Sequence, residues 1–168
     1  MSIVLIGAPG AGKSTVGKRL ARRLGLRFVD VDHRIEEVVG KPIAEIFADE
    51  GEAHFRALEE EATLELLESH DVVALGGGAV MNEAIREALH GHEVIWLKVS
   101  IGQASRRVGL NTVRPLLLGN VRGRLIELLR ERTPVYEAVA TQVVETDGRG
   151  SVDVADELAR ERGWEPTP

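Results

Sequence analysis

The segment GAPGAGKST, residues 7–15, packs three glycines, a proline, a lysine and two hydroxyls into nine positions. By propensity alone it is neither a strand nor a good helix start. Gly7 to Ser14 follow the spacing G-x-x-x-x-G-K-S. Upstream, SIVLI (2–6) reads as a short buried strand; downstream, Val16, Leu20 and Leu24 repeat every four residues, and Gly25 stands where a helix-ending glycine belongs. In that order, strand, loop and helix let successive N–H groups at Gly10, Ala11 and Gly12 curl around a phosphate at the positive end of the helix. Lys13 supplies a point charge for the β- and γ-phosphates. Ser14 offers its hydroxyl to Mg²⁺, and Thr15 extends the cradle. A plain glycine-rich turn with a surface lysine does not account for the full spacing between a strand and an amphipathic helix. The loop implies a bound nucleoside triphosphate and leaves open what happens to it.

Further along, short runs rich in β-branched residues recur: RFVDV (27–31), DVVAL (71–75), EVIWLKV (93–99) and TQVVET (141–146). Their near-continuous apolar character suits strands buried on both faces of a parallel sheet. Helical patterns lie between them: the stripe Phe55, Leu58, Ala62 and Leu66, then residues 82–89, 123–132 and 152–163. Such alternation predicts βαβ units in one three-layer α/β domain spanning 1–168. The 43% hydrophobic fraction supplies an adequate core. With no cysteine there is no disulfide framework, and no apolar run reaches bilayer length, so the chain is expected to be cytoplasmic. A formal charge of −6 and six aromatic side chains (two Trp, one Tyr, three Phe) argue against a nucleic-acid partner.

Ligands of open α/β sheets bind beyond the C-terminal strand ends, and several polar segments collect there. In FVDVDH, strand alternation would put Asp30 and Asp32 on one face, where Mg²⁺ could separate them from phosphate. One carboxylate could hold the metal's waters while the other faces a second substrate; the alternative is that Asp32 caps a helix starting near His33. His33 reads as a solvated residue at that helix start. Arg56 lies about 100° round the helix from Phe55, at the edge of a cleft or paired on the surface with Glu59 or Glu60. Three consecutive glycines, Gly76, Gly77 and Gly78, allow close backbone approach to a ligand. The insert GLNTVRPLLLGN (109–120) has a lid's make-up: bounding glycines, apolar leucines and Arg114, able to offset charge on a phosphoryl group in transit. Arg132 closes a predicted helix, where it could serve only the helix dipole.

Taken in order over about residues 3 to 140, these motifs resemble the shikimate kinases, small P-loop kinases of the nucleoside monophosphate kinase type. The matching stretches are GAPGAGKSTVGKRLARRLG, FVDVDHRIEEVVGKPIAEIFADEGEAHFRALEEE, ALGGGAV, NTVRPLL and RTPVYEAVA. The resemblance implies a three-layer α/β/α fold with a five-stranded parallel sheet in the order 2-3-1-4-5. It further implies phosphoryl transfer from MgATP to the 3-hydroxyl of shikimate; the lack of a bilayer-length apolar run argues against a membrane partner, and a monomer is expected. By the same resemblance, Asp30 supports the metal through water and Asp32 meets the substrate hydroxyls as the base. Arg56 and Arg132 bind the carboxylate beside the Gly77 and Gly78 backbone, within a substrate segment of about 32–60. Arg114 is the lid arginine of 109–120, and Arg107 with Arg149 lies along the adenine. Ser151 stands where the family often has proline. Other readings to set against this one are a kinase of another small polyol acid, such as gluconate, and a nucleotide-gated binding module. No N-K-x-D guanine signature supports a GTPase-like switch.

Overall fold

The computed structural model describes residues 1–111 and 121–168, with side chains outside 107–122. Five strands form one parallel sheet: β1 (Ile3–Ile6), β2 (Phe28–Asp30), β3 (Val72–Ala74), β4 (Glu93–Lys98) and β5 (Gln142–Glu145). Their order is β2-β3-β1-β4-β5, as the family resemblance implies. The helices are α1 (Lys13–Leu24), α2 (Val31–Val39), α3 (Ile43–Glu50), α4 (Glu52–Ser69), α5 (Glu83–Ala88), α6 (Ile101–Asn111), α7 (Val121–Val139) and α8 (Ser151–Glu161). A 3₁₀ turn occupies Ala79–Met81.

The apolar runs become strands because both sheet faces are covered. Successive residues of β1 alternate between two cores. Ile3 and Leu5 join Val16 and Leu20 of α1 and Val154 and Leu158 of α8. Val4 and Ile6 join Ile35 of α2, Phe55 and Leu66 of α4, and Tyr136 of α7. Each such side chain contributes roughly 1.5–3 kcal/mol by leaving water. Both cores share β1, so the loop following it is anchored from both sides.

Four details differ from the sequence-based expectations. The strand predicted over 27–31 stops at Asp30, and α2 begins at Val31. On α4 the buried face runs through Phe55, Glu59, Thr63 and Leu66, so Glu59 faces the interior while Leu58 and Ala62 are only partly buried. Helix α6 runs to Asn111, making the first three residues of the 109–120 insert helical. Helix α7 continues past Pro134 to Val139, so Arg132 sits well inside it and does not serve a helix C-terminus.

Gly7 governs how closely the loop can follow the strand. Its φ is +150°, and a Cβ there would lie 2.7 Å from the Leu97 carbonyl oxygen of β4. That neighbour is fixed backbone and cannot rotate away. Gly7→Ala is therefore expected to destabilise the protein by about 1–3 kcal/mol. A thermal melt checks this: Tm should fall by several degrees, and an unchanged Tm would show that the loop has room to shift.

Candidate active site

The phosphate loop turns directly out of β1 into α1. Its curl is held by the Ala11 N–H donating to the Ala8 carbonyl at 3.1 Å, and Gly12, with φ +90°, leads into the helix. Lys13 folds back over the loop, donating from Nζ to the carbonyls of Gly7 at 2.7 Å and Ala8 at 3.1 Å. Burial lowers its pKa to about 8, against the opposing pull of Asp32 and Asp30. Lys13 is a half-buried cation held near the phosphate cradle by carbonyl oxygens.

Asp30 and Asp32 both line this cleft, though not by strand alternation. Asp30 ends β2 and caps α2: its Oδ1 accepts the His33 N–H at 3.1 Å, and its Oδ2 accepts the Ser14 hydroxyl. The capping residue is thus Asp30, not Asp32. Asp32 occupies the first turn of α2, where its Oδ1 is buried without a hydrogen-bond partner among the described residues. Burial is the largest cause raising its pKa to about 6; Asp30 and Glu59 push the same way and Lys13 opposes them. His33 is exposed and pairs with Glu37 at 2.9 Å, as expected of a solvated helix-start residue.

Ser14 and Asp30 bring two hard oxygen donors together beside the phosphate loop. Among the described residues no group of three or more His, Asp or Glu forms a metal cage. That donor set suits Mg²⁺, which takes one or two protein oxygens and completes its shell with water and phosphate. A cleft of about 520 Å³ runs from the loop past Asp30 and Asp32 to Gly76 and Gly77.

Gly76 and Gly77 line the far side of this cleft, and Gly78 follows them. A Cβ at Gly76 would lie 2.8 Å from Asp32 Oδ1 and 3.0 Å from Glu59 Oε2. At Gly77 it would meet Arg132 Nη1 at 3.0 Å; at Gly78, Arg56 Nη2 at 2.8 Å and Arg132 Nη2 at 3.0 Å. Two guanidinium groups from α4 and α7 therefore converge on one stretch of bare backbone. Arg56 is held there by Glu59, with Nη1 donating to Oε1 at 2.8 Å. Glu59 is 1% exposed, so this is a buried anchor and not a solvated surface pair. Sequence reasoning treated Glu59 only as a surface partner for Arg56. Its interior position follows from the face α4 buries, which the apolar residues alone misplace by one position.

Arg149 lies on the turn after β5 and pairs with Glu157. The same segment abuts the phosphate loop: a Cβ on Gly12 would be 3.1 Å from Ser151 Oγ. The Arg107 side chain and Arg114 lie outside the described residues.

The family model described as shikimate kinase matches residues 9–161. The chain belongs to the shikimate kinase family. It is 53% identical over 159 residues to the shikimate kinase of Thermobifida fusca, covering 94% of this chain and 92% of that one. It is 55% identical over 157 residues to that of Salinispora arenicola, covering 93% and 94%. Among solved structures, the shikimate kinase from Acinetobacter baumannii in complex with shikimate is similar, with a TM-score of 0.89. It is 37% identical, covering 96% of this chain and 92% of that one. Shikimate kinases are ATP-dependent, which accords with the phosphate loop of this member.

The raised pKa of Asp32 has a consequence for stability. An unfolded aspartate ionises near 3.8, and the folded one near 6. Between those values the unfolded state loses its proton first, so stability falls as pH rises and the full penalty is present above about pH 6. Asp32→Asn removes that penalty, on the order of 2 kcal/mol. The variant should melt above the parent at pH 8, with the gain vanishing near pH 4. A lower Tm at pH 8 would contradict a desolvated carboxylate at this position.

Proposed function

We propose that this cleft transfers the γ-phosphoryl group of ATP to the 3-hydroxyl of shikimate, giving shikimate 3-phosphate and ADP on the route to chorismate and the aromatic amino acids. The observation that carries the residue assignment is the meeting of Arg56 and Arg132 at Gly78, with Asp32 against Gly76 on the side of the phosphate loop. A small hydroxy acid fits that layout: its carboxylate goes to the guanidinium pair and a ring hydroxyl to Asp32. Arginine suits the carboxylate because its planar fork donates two parallel hydrogen bonds.

In this reading Gly10, Ala11, Gly12, Ser14 and Thr15 cradle the phosphates and Lys13 offsets charge on the transferring group. Ser14 and Asp30 would hold Mg²⁺, which would supply neutralisation of the phosphate charge. Asp32 orients the acceptor hydroxyl. With a loose transition state the proton leaves late, so a carboxylate of pKa about 6 can accept it as the new P–O bond forms. Arg114 of the 109–120 insert, outside the described residues, is assigned the offsetting of charge on the phosphoryl group in transit, and the insert the exclusion of water that would hydrolyse ATP. Arg107 and Arg149 flank the adenine; support for Arg149 is the contact of its segment with Gly12. The enzyme works as a monomer in the cytoplasm, with shikimate and ATP as its partners.

ADP release with MgATP should depend on shikimate and not on other hydroxy acids such as gluconate. Asp32→Asn should keep ATP binding and lose at least ~100-fold in turnover. Near-normal turnover would remove Asp32 from the chemistry. Arg56→Lys, which keeps the charge but loses the fork, should raise the KM for shikimate by roughly tenfold or more and that for ATP by far less. Equal rises would point to a folding defect.

A further inference from the structure

We propose that Tyr136 is a positioning residue for the substrate carboxylate, its hydroxyl setting the orientation of the Gly77–Gly78 peptide beside the Arg132 guanidinium. The proposal rests on the reading of Arg56, Arg132 and Gly78 as the carboxylate site.

Tyr136 is the chain's one tyrosine and is 1% exposed. It lies one helical turn after Arg132 on α7, with its ring against Trp96, centroids 5.6 Å apart. Its hydroxyl donates to the Gly77 carbonyl at 2.6 Å. A carbonyl only accepts, so the direction is determined: the phenol donates to Gly77. Burial raises the phenol pKa, which keeps that proton in place at neutral pH.

The peptide between Gly77 and Gly78 most needs such a restraint. Two consecutive glycines have the widest backbone freedom available. In a trans peptide the C=O and N–H point to opposite sides of the C–N bond. Holding the Gly77 carbonyl on Tyr136 therefore turns the Gly78 N–H away from Tyr136, at the residue whose Cα lies against both guanidiniums. One hydroxyl thus orients the backbone donor that lies beside the two arginines. A buried tyrosine hydroxyl needs some partner for stability alone, so the test must separate binding from folding.

Tyr136→Phe keeps the ring and removes only the hydroxyl. It should raise the KM for shikimate roughly five- to tenfold, the effect of about one hydrogen bond, with kcat and the KM for ATP within about twofold. An unchanged KM for shikimate, or equal rises for both substrates, would overturn the proposal. Arg132→Lys, measured in parallel, separates the two layers of the argument. If it leaves the KM for shikimate unchanged, the carboxylate reading itself fails. If it raises that KM and Tyr136→Phe does not, only the role of Tyr136 fails. Should Tyr136→Phe not fold, 3-fluorotyrosine incorporated into the parent protein labels this single site. Its ¹⁹F resonance should shift when shikimate is added without nucleotide, and an unmoved resonance at saturating shikimate would overturn the proposal.

Discussion

The site depends on a stretch of backbone that carries no side chains. At Gly76, Gly77 and Gly78 the space a Cβ would fill is occupied by polar atoms arriving from three helices. Carboxylates of Asp32 and Glu59 close on one end, and the guanidiniums of Arg56 and Arg132 on the other. A Cβ at these positions would force the facing side-chain ends to give by a few tenths of an ångström, which disturbs the hydrogen-bonded arrangement around them. The triplet is therefore where α2, α4 and α7 are brought into register with the sheet.

That arrangement concentrates charge in a poorly solvated place, and its electrostatics follow. Lys13 is pushed toward neutrality by burial and Asp32 toward protonation. Neither shift favours folding. Both leave groups ready to respond to a ligand: a cation whose demand for an anion is only partly met by loop carbonyls, and a carboxyl oxygen with no partner of its own among the described residues. Perturbed ionisable groups at the end of a parallel sheet are the pattern of a working site and not of a structural ion pair. Glu59 illustrates the contrast. Buried and bonded to Arg56, it anchors one arm of the cleft.

Much of this was legible in the sequence where the signal is local. Gly7 to Ser14 identify the phosphate loop because spacing, strand and helix all occur within about twenty residues. Strands β1, β3 and β4 were legible because both faces are buried, leaving apolar runs that periodicity can detect; the partly exposed edge strands β2 and β5 were legible from their apolar and β-branched residues. The failures lie where a local rule competes with a neighbour. Val31 looks like the next strand residue, but Asp30 caps a helix and ends the strand there. Glu59 looks like a surface carboxylate because burial of an anion becomes reasonable only once Arg56 is beside it. Arg132 looks like a helix end because Pro134 follows it, yet α7 runs through the proline to Val139. Tyr136 lies in the matching stretch RTPVYEAVA, but nothing local indicates its contact, because its partner is 59 residues away along the chain.

The central claim is spatial: an acid held by two arginines at Gly78 presents its hydroxyl to Asp32 and to the phosphate loop. A crystal structure of the protein with shikimate and ADP tests it most directly. The account predicts the carboxylate bridging Arg56 and Arg132 within hydrogen-bond distance of the Gly78 N–H, and a ring hydroxyl against the open oxygen of Asp32. A carboxylate seated away from both arginines, or a ring hydroxyl out of reach of Asp32, would contradict it.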